Sequence, residues 1–295
     1  MVQLRKDQLK EERTAYLLLC PTFILIFGFM YYPPIMGIVR SLFFWAPAQE
    51  TRFIGLKNFS DYFSSRNTAL EWRNMLIFLL AEILTGALVP FLAAELIFHV
   101  VSTTFRNIYK RLVMLPMVLP AVVVVLLWKH VYDPNLGPVN VGLRAIGLEG
   151  LTHFWLEEPG VALFSIIMVG FPWICALGTL IFLGGLQQIP EAFFHAARIE
   201  GASALQILRY VEIPLLKRQF KLQLTLASIT GITHFNKILL MTNGGPGSTT
   251  MVPGLSMYKR AFQFQQFGMA SGIGFLIFLT ALIVTVVINL STRDG

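Results

Sequence analysis

The chain has 295 residues, of which 55% are hydrophobic and only 13% charged, with a mean hydropathy of +0.66; an ordinary soluble domain carries about 25% charge. A cytosolic globular protein is therefore excluded, and the length measures membrane crossings, not domains. The net charge of +7 comes from 23 Lys and Arg against 16 Asp and Glu. These basic residues are scattered through linkers without the aromatic interleaving of a nucleic-acid groove, so they read as topology determinants and no nucleic-acid partner is expected.

A crossing helix needs about 20 mainly apolar residues. Six stretches qualify, 15–39, 74–98, 109–130, 160–185, 217–242 and 267–290, and the lack of alternation excludes a barrel. The expectation is an all-α, polytopic membrane protein with six transmembrane helices. Residues 1–14 read as a cytoplasmic leader. The first stretch is too long for a signal-peptide core and lacks a small-residue cleavage pattern, so it reads as an uncleaved anchor. With the N-terminus inside, segments 1–14, 99–111, 186–221 and 291–295 hold 13 of the Lys and Arg residues in fewer positions than the outer linkers, which hold 10. That is the sign the positive-inside rule requires.

Along the chain, Glu82 lies deep in the second stretch, whereas Glu95, and Lys129 and His130 at the end of the third, lie near interfaces. The run VYDPNLGPVNVGL after the third stretch and TNGGPGSTT after the fifth are rich in turn formers and read as external loops. Cys20 and Cys175 fall in apolar runs and are expected as small buried hydrophobes. Gly268 and Gly272 form a G-x-x-x-G pattern in the last stretch, suited to close helix packing. His99, His130, His153, His195 and His234 show no metal-binding spacing, so no metal site is expected.

The segment between the fourth and fifth stretches, IPEAFFHAARIEGASALQILRYVEIPLL, is too polar to cross. Pro190 suits a first helical turn, Glu191 complements its positive end, and Gly201 supplies a left-handed stop. Ser203 and Gln206 then have capping-box spacing for a second helix. Two short helices meet at a glycine bend, with Ala196, Ala197 and Ala202 permitting close approach. In the fifth stretch Thr230, Thr233, His234 and Lys237 are spaced as one helical stripe, extended inward by Gln223. Polar groups in a span face a bundle interior or an aqueous path. Thr230, Thr233 and His234 suit sugar hydroxyls, and Phe235 suits a sugar CH face.

The arrangement of Ala196, Ala197, Gly201, Ile213 and Pro214 resembles the EAA loop of binding-protein-dependent ABC importer permeases, the cytoplasmic segment that docks into the ATPase subunit. The family's usual Glu and Asp are replaced here by His195, which loses the charge, and Glu200, which keeps it. Phe235 to Thr250 with Tyr258, Ala261, Phe262 and Phe267, and the early stretch Tyr31 to Phe63, are similar to the first permease subunit of the maltose and glycerol-phosphate class. The resemblance implies a type I importer permease fold in which residues 15–290 form one domain, with a coupling loop at 186–216 and a cytoplasmic tail at 291–295. It implies docking through Glu191, His195, Ala196, Ala197, Arg198, Glu200 and Gly201. The implied partners are a second permease, two ATP-binding subunits and an extracytoplasmic solute-binding protein, within a bacterial plasma membrane.

No G-x-x-x-x-G-K-[ST] string occurs, so the chain is expected to bind no cofactor and to be no enzyme, with ATP and Mg held by the partner ATPase. An ion-coupled secondary transporter is the rival reading, but such carriers use paired repeats and intramembrane carboxylates. Here Glu82 is the one deep acid, and the docking segment would go unexplained.

Overall fold

The computed structural model describes residues 16–173 and 175–291; the expected leader 1–14 and residues 292–295 of the expected tail lie outside the described residues. Nearly every element is helical. In chain order they are α1 (Tyr16–Arg40), a two-residue hairpin of β1 (Phe43–Phe44) and β2 (Arg52–Phe53), α2 (Lys57–Phe63) and α3 (Thr68–Phe98). Next come α4 (Thr103–Val118) and α5 (Ala121–Val131), α6 (Pro138–Ala145), α7 (Ala162–Met168) and α8 (Ala176–Leu186). The remainder are α9 (Glu191–Ile199), α10 (Ala204–Ile207), α11 (Lys217–Thr233), α12 (Asn236–Met241), α13 (Pro253–Phe262) and α14 (Phe267–Ser291).

Three of the six apolar stretches are continuous helices long enough to cross a membrane: α1, α3 and α14. The other three, 109–130, 160–185 and 217–242, are interrupted helices. Between α4 and α5 the chain bends by 90° where Pro116 and Pro120 remove backbone donors. The stretch holding α7 and α8 is broken by Gly170, at φ +92°, and Pro172. The fifth is broken at His234, whose ψ of 113° ends α11.

Among the described residues, one compact unit comprises 16–64 together with Met257–Leu276. Here α1 has no buried residue, the condition of a helix solvated by lipid or by another chain. Asn58 Nδ2 donates to the carbonyls of Ser41, at 2.7 Å, and Phe43, at 2.9 Å, fixing the hairpin on α2. Gly268 packs against the backbone of Phe43 and Trp45, and a β-carbon at Gly272 would just reach Phe59, at 3.6 Å. The small-residue face of α14 thus receives a hairpin and a short helix.

The second unit holds Ser65–Ser256 and the end of α14. Its core joins Phe91, Ala94 and Ile97 of α3 to Phe182, Leu183 and Leu186 of α8, and to Phe194, Ile207 and Leu216. Helix α3 contains Pro90, which cannot donate to the carbonyl one turn earlier, at Gly86. There the helix widens over Leu84–Leu88, and Gln223 Nε2 of α11 donates to that carbonyl at 2.6 Å. Gly231 lets α11 approach α3, since a β-carbon there would come within 2.7 Å of Leu79 Cα. Asn74 Nδ2 donates to the carbonyls of Thr249 and Met251, both at 2.8 Å, and so anchors the TNGGPGSTT turn to α3. In the VYDPNLGPVNVGL turn, Asp133 accepts from the backbone N–H groups of Asn135 and Leu136; chiefly these bonds hold its carboxyl below the usual range.

Candidate functional site

The segment 189–216 folds as its local signals require. Glu191 occupies the first turn of α9 after Pro190. Gly201 adopts φ +78°, and the N–H of Ala202 closes on the carbonyl of Ala197 at 2.9 Å. The capping box is complete: Gln206 N–H donates to Ser203 Oγ at 3.4 Å, and Ser203 N–H donates to Gln206 Oε1 at 2.7 Å. Beyond α10 the backbone continues as a wide turn, Leu208–Glu212, to Pro214.

Phe194 and Ile207 anchor the pair in the core, with Ala197, Ala202, Leu208 and Val211 packed beside them. Ala196 does not share that contact. It is exposed, as are Glu191, His195, Arg198, Glu200 and Gly201, because Phe194 fixes which side of the helix faces inward. His195 Nε2 lies 4.0 Å from Glu191 Oε2, an exposed pair of little energetic weight. The outward face also carries Ile199, 87% exposed, Leu205, 72%, and Tyr210, 67%. Large apolar side chains left exposed in this number are the usual material of a protein contact.

Within this segment Glu212 is buried beside Glu95 and His99, which stand at the end of α3. Burial, with the neighbouring Glu95 carboxyl adding to it, pushes the Glu212 carboxyl up to about 8.

The second region follows the break in α11. Because the helix ends at Thr233, the expected stripe does not run as one helix to Lys237. Across the break, Thr230, His234 and Lys237 still line one cavity of about 410 Å³, together with Glu82, Thr85 and Gln223. Thr233 and Phe235 line a neighbouring cavity of about 940 Å³, which Thr230, His234 and Lys237 also border. The Thr230 and Thr233 hydroxyls donate back to the carbonyls of Leu226, at 2.9 Å, and Ile229, at 2.8 Å, leaving oxygen lone pairs free to accept. The His234 ring stacks on Phe78 with centroids 6.1 Å apart, and its buried Nε2 has no hydrogen-bond partner. Gln223 gives its Nε2 to the Gly86 carbonyl, and its Oε1 is buried without a hydrogen-bond partner. Cys175 is exposed and borders both cavities; Cys20 is exposed on α1. Neither cysteine is the buried hydrophobe expected.

The described residues thus form a mostly helical membrane bundle with polar cavities at broken helices and a short helix pair that exposes apolar side chains. Residues 76–293 match the family described as binding-protein-dependent transport system inner membrane component, and the chain belongs to that family. It is a multi-pass membrane permease of the ABC transporter class, not an ATP-hydrolysing subunit. The chain is 28% identical over 268 residues to the probable ABC transporter permease protein YurN of Bacillus subtilis, covering 90% of this chain and 91% of that one. It is 30% identical to the multiple sugar-binding transport system permease protein MsmF of Streptococcus mutans, covering 90% of each chain. In fold it is similar to a chain of a bacterial alginate ABC transporter, crystallised with its alginate pentasaccharide-bound periplasmic protein. The TM-score is 0.85 at 23% identity, covering 97% of this chain and 96% of that one.

Proposed function

We propose that this permease imports a sugar or related polyol, delivered by an extracytoplasmic solute-binding protein, under the drive of two ATP-binding subunits. A second permease completes the pathway. The carrying observation is the glycine-bent pair α9–α10, seated in the core through Phe194 and Ile207 while Ile199 and Leu205 stay exposed, as does Tyr210 in the turn that follows. In this reading the loop 186–216 and both termini are cytoplasmic. Residues 15–290 form the permease domain. Glu191, His195, Ala196, Ala197, Arg198, Glu200 and Gly201 dock on the ATPase, which holds ATP and Mg. Closure of the ATPase pair then pulls the docked helices, and Phe194 transmits that motion to α3 and α8.

The sugar assignment is supported by the name of the Streptococcus mutans relative and by the cavity chemistry. Thr230 and Thr233 offer acceptors, His234 a further polar atom, and Phe235 a ring for a CH face. Reconstitution of the chain with its partner subunits and receptor in proteoliposomes tests the proposal. Uptake of labelled sugar should require ATP and persist with a proton ionophore present. Uptake that continues without ATP and collapses with the ionophore would overturn it in favour of an ion-coupled carrier.

A further inference from the structure

Glu95 and His99 stand one turn apart at the end of α3, so they project from the same side of the helix. Glu212 reaches the same point from the wide turn after α10. His99 Nε2 lies 2.8 Å from Glu95 Oε1 and 3.3 Å from Glu212 Oε1, and one ligand atom from each residue falls within 4.8 Å of the others. Glu212 is 1% exposed. Both its oxygens, and Glu95 Oε2, are buried, and apart from the 3.3 Å approach of Glu212 Oε1 to His99 none meets a hydrogen-bond partner. Two carboxyl groups with orphaned oxygens converge on one imidazole nitrogen. Arg198 borders the same cavity of about 430 Å³, yet among the described residues it forms no ion pair with either acid.

Buried carboxylate oxygens need a donor or a cation. Imidazole nitrogen and carboxylate oxygen are both ligands that divalent zinc takes, at about 2.0–2.2 Å from the ion and hence a little over 3 Å from one another. The separations around His99 Nε2 are close to that without rearrangement. The half-exposed His99 gives an entry path, and the cavity leaves room for water as a fourth ligand. We propose that Glu95, His99 and Glu212 form a divalent-cation site, with zinc as its fitting ion, that staples the turn following α10 to the end of α3. No histidine spacing in the sequence announces it, because the third ligand comes from a distant turn. On the reading of 186–216 as the coupling loop, the ion would stiffen the joint between that loop and the bundle. Binding itself does not depend on that reading.

The test is a Zn²⁺ titration of the full-length chain in detergent after chelator treatment, with bound metal measured by elemental analysis following dialysis. About one equivalent per chain is expected in the wild type, with binding weakened at least tenfold in His99→Ala and in Glu212→Gln. Since His99 is half-exposed, its replacement leaves the core intact, and Zn²⁺ should raise the melting temperature of the wild type but not of His99→Ala. Wild-type binding below a tenth of an equivalent would overturn the site, as would binding equal in all three chains. A zinc-independent wild-type melting temperature would also overturn it, leaving a shared proton between the carboxyls. None of these readouts involves uptake or ATPase activity, so a failure here is distinct from a failure of the transport assignment.

Discussion

Replacing Gly201 by valine isolates the bend between α9 and α10. A β-carbon built at Gly201 meets nothing within 4 Å, so packing contributes no penalty and the whole effect is conformational. The backbone φ of +78° costs an L-residue about 1–2 kcal/mol, with a β-branched side chain at the upper end. That is roughly a 5- to 30-fold loss in the population of the docking geometry. The assay is receptor-stimulated ATPase activity and sugar uptake by the assembled importer. Both should fall together, while the amount of chain inserted in the membrane stays at the wild-type level. Gly201→Asn should retain most of both activities, because asparagine tolerates the left-handed region. Undiminished uptake and ATPase stimulation in Gly201→Val would refute the reasoning that this bend positions the docking face.

Gly231→Val should lower the melting temperature of the purified chain through overpacking worth about 1–3 kcal/mol, since its β-carbon would press on Leu79 Cα at 2.7 Å; an unchanged melting curve would contradict the α3–α11 contact. In a Cys20→Ser background, a water-soluble maleimide should label Cys175, and transported sugar should slow that labelling several-fold, whereas sugar-independent labelling would remove the two cavities from the pathway. Glu212, raised to about 8 by burial and by Glu95, carries an extra proton in the folded state. Above the ordinary carboxylate range the folded chain then binds more protons than the unfolded one, and the stability of the metal-free protein should decline as pH rises from about 5 to about 8. Glu212→Gln should flatten that decline in chemical denaturation at stepped pH, and an equal slope in both chains would contradict the assignment.

The coupling segment was legible because its signals are local. Pro190, Gly201, Ser203 and Gln206 each act within one or two turns, and each occupies the predicted place. Which face turns inward was not legible: Phe193 and Phe194 are equally apolar, and only the pocket formed by α3 and α8 chooses Phe194 and leaves Ala196 outside. The breaks were partly written in the sequence, since Pro116, Pro120 and Pro172 lie inside apolar stretches that hydropathy alone reads as continuous. The break at His234 has no proline or glycine beside it and depends on tertiary surroundings. Gln223 reads as a pathway group in isolation; its bond to the Gly86 carbonyl, freed by Pro90 on another helix, exists only in the folded chain. The Glu95, His99 and Glu212 cluster was hidden for the same reason.

The central claim is that α9 and its glycine bend meet the ATPase. Cysteine placed at His195, 66% exposed in its side chain, and treated with a short bifunctional thiol reagent in the assembled importer, measures this directly. Capture of the ATP-binding subunit, with a yield that changes when nucleotide is added, is the predicted result. A cysteine that captures no such subunit, or that reacts from the receptor side of a sealed vesicle, contradicts the account.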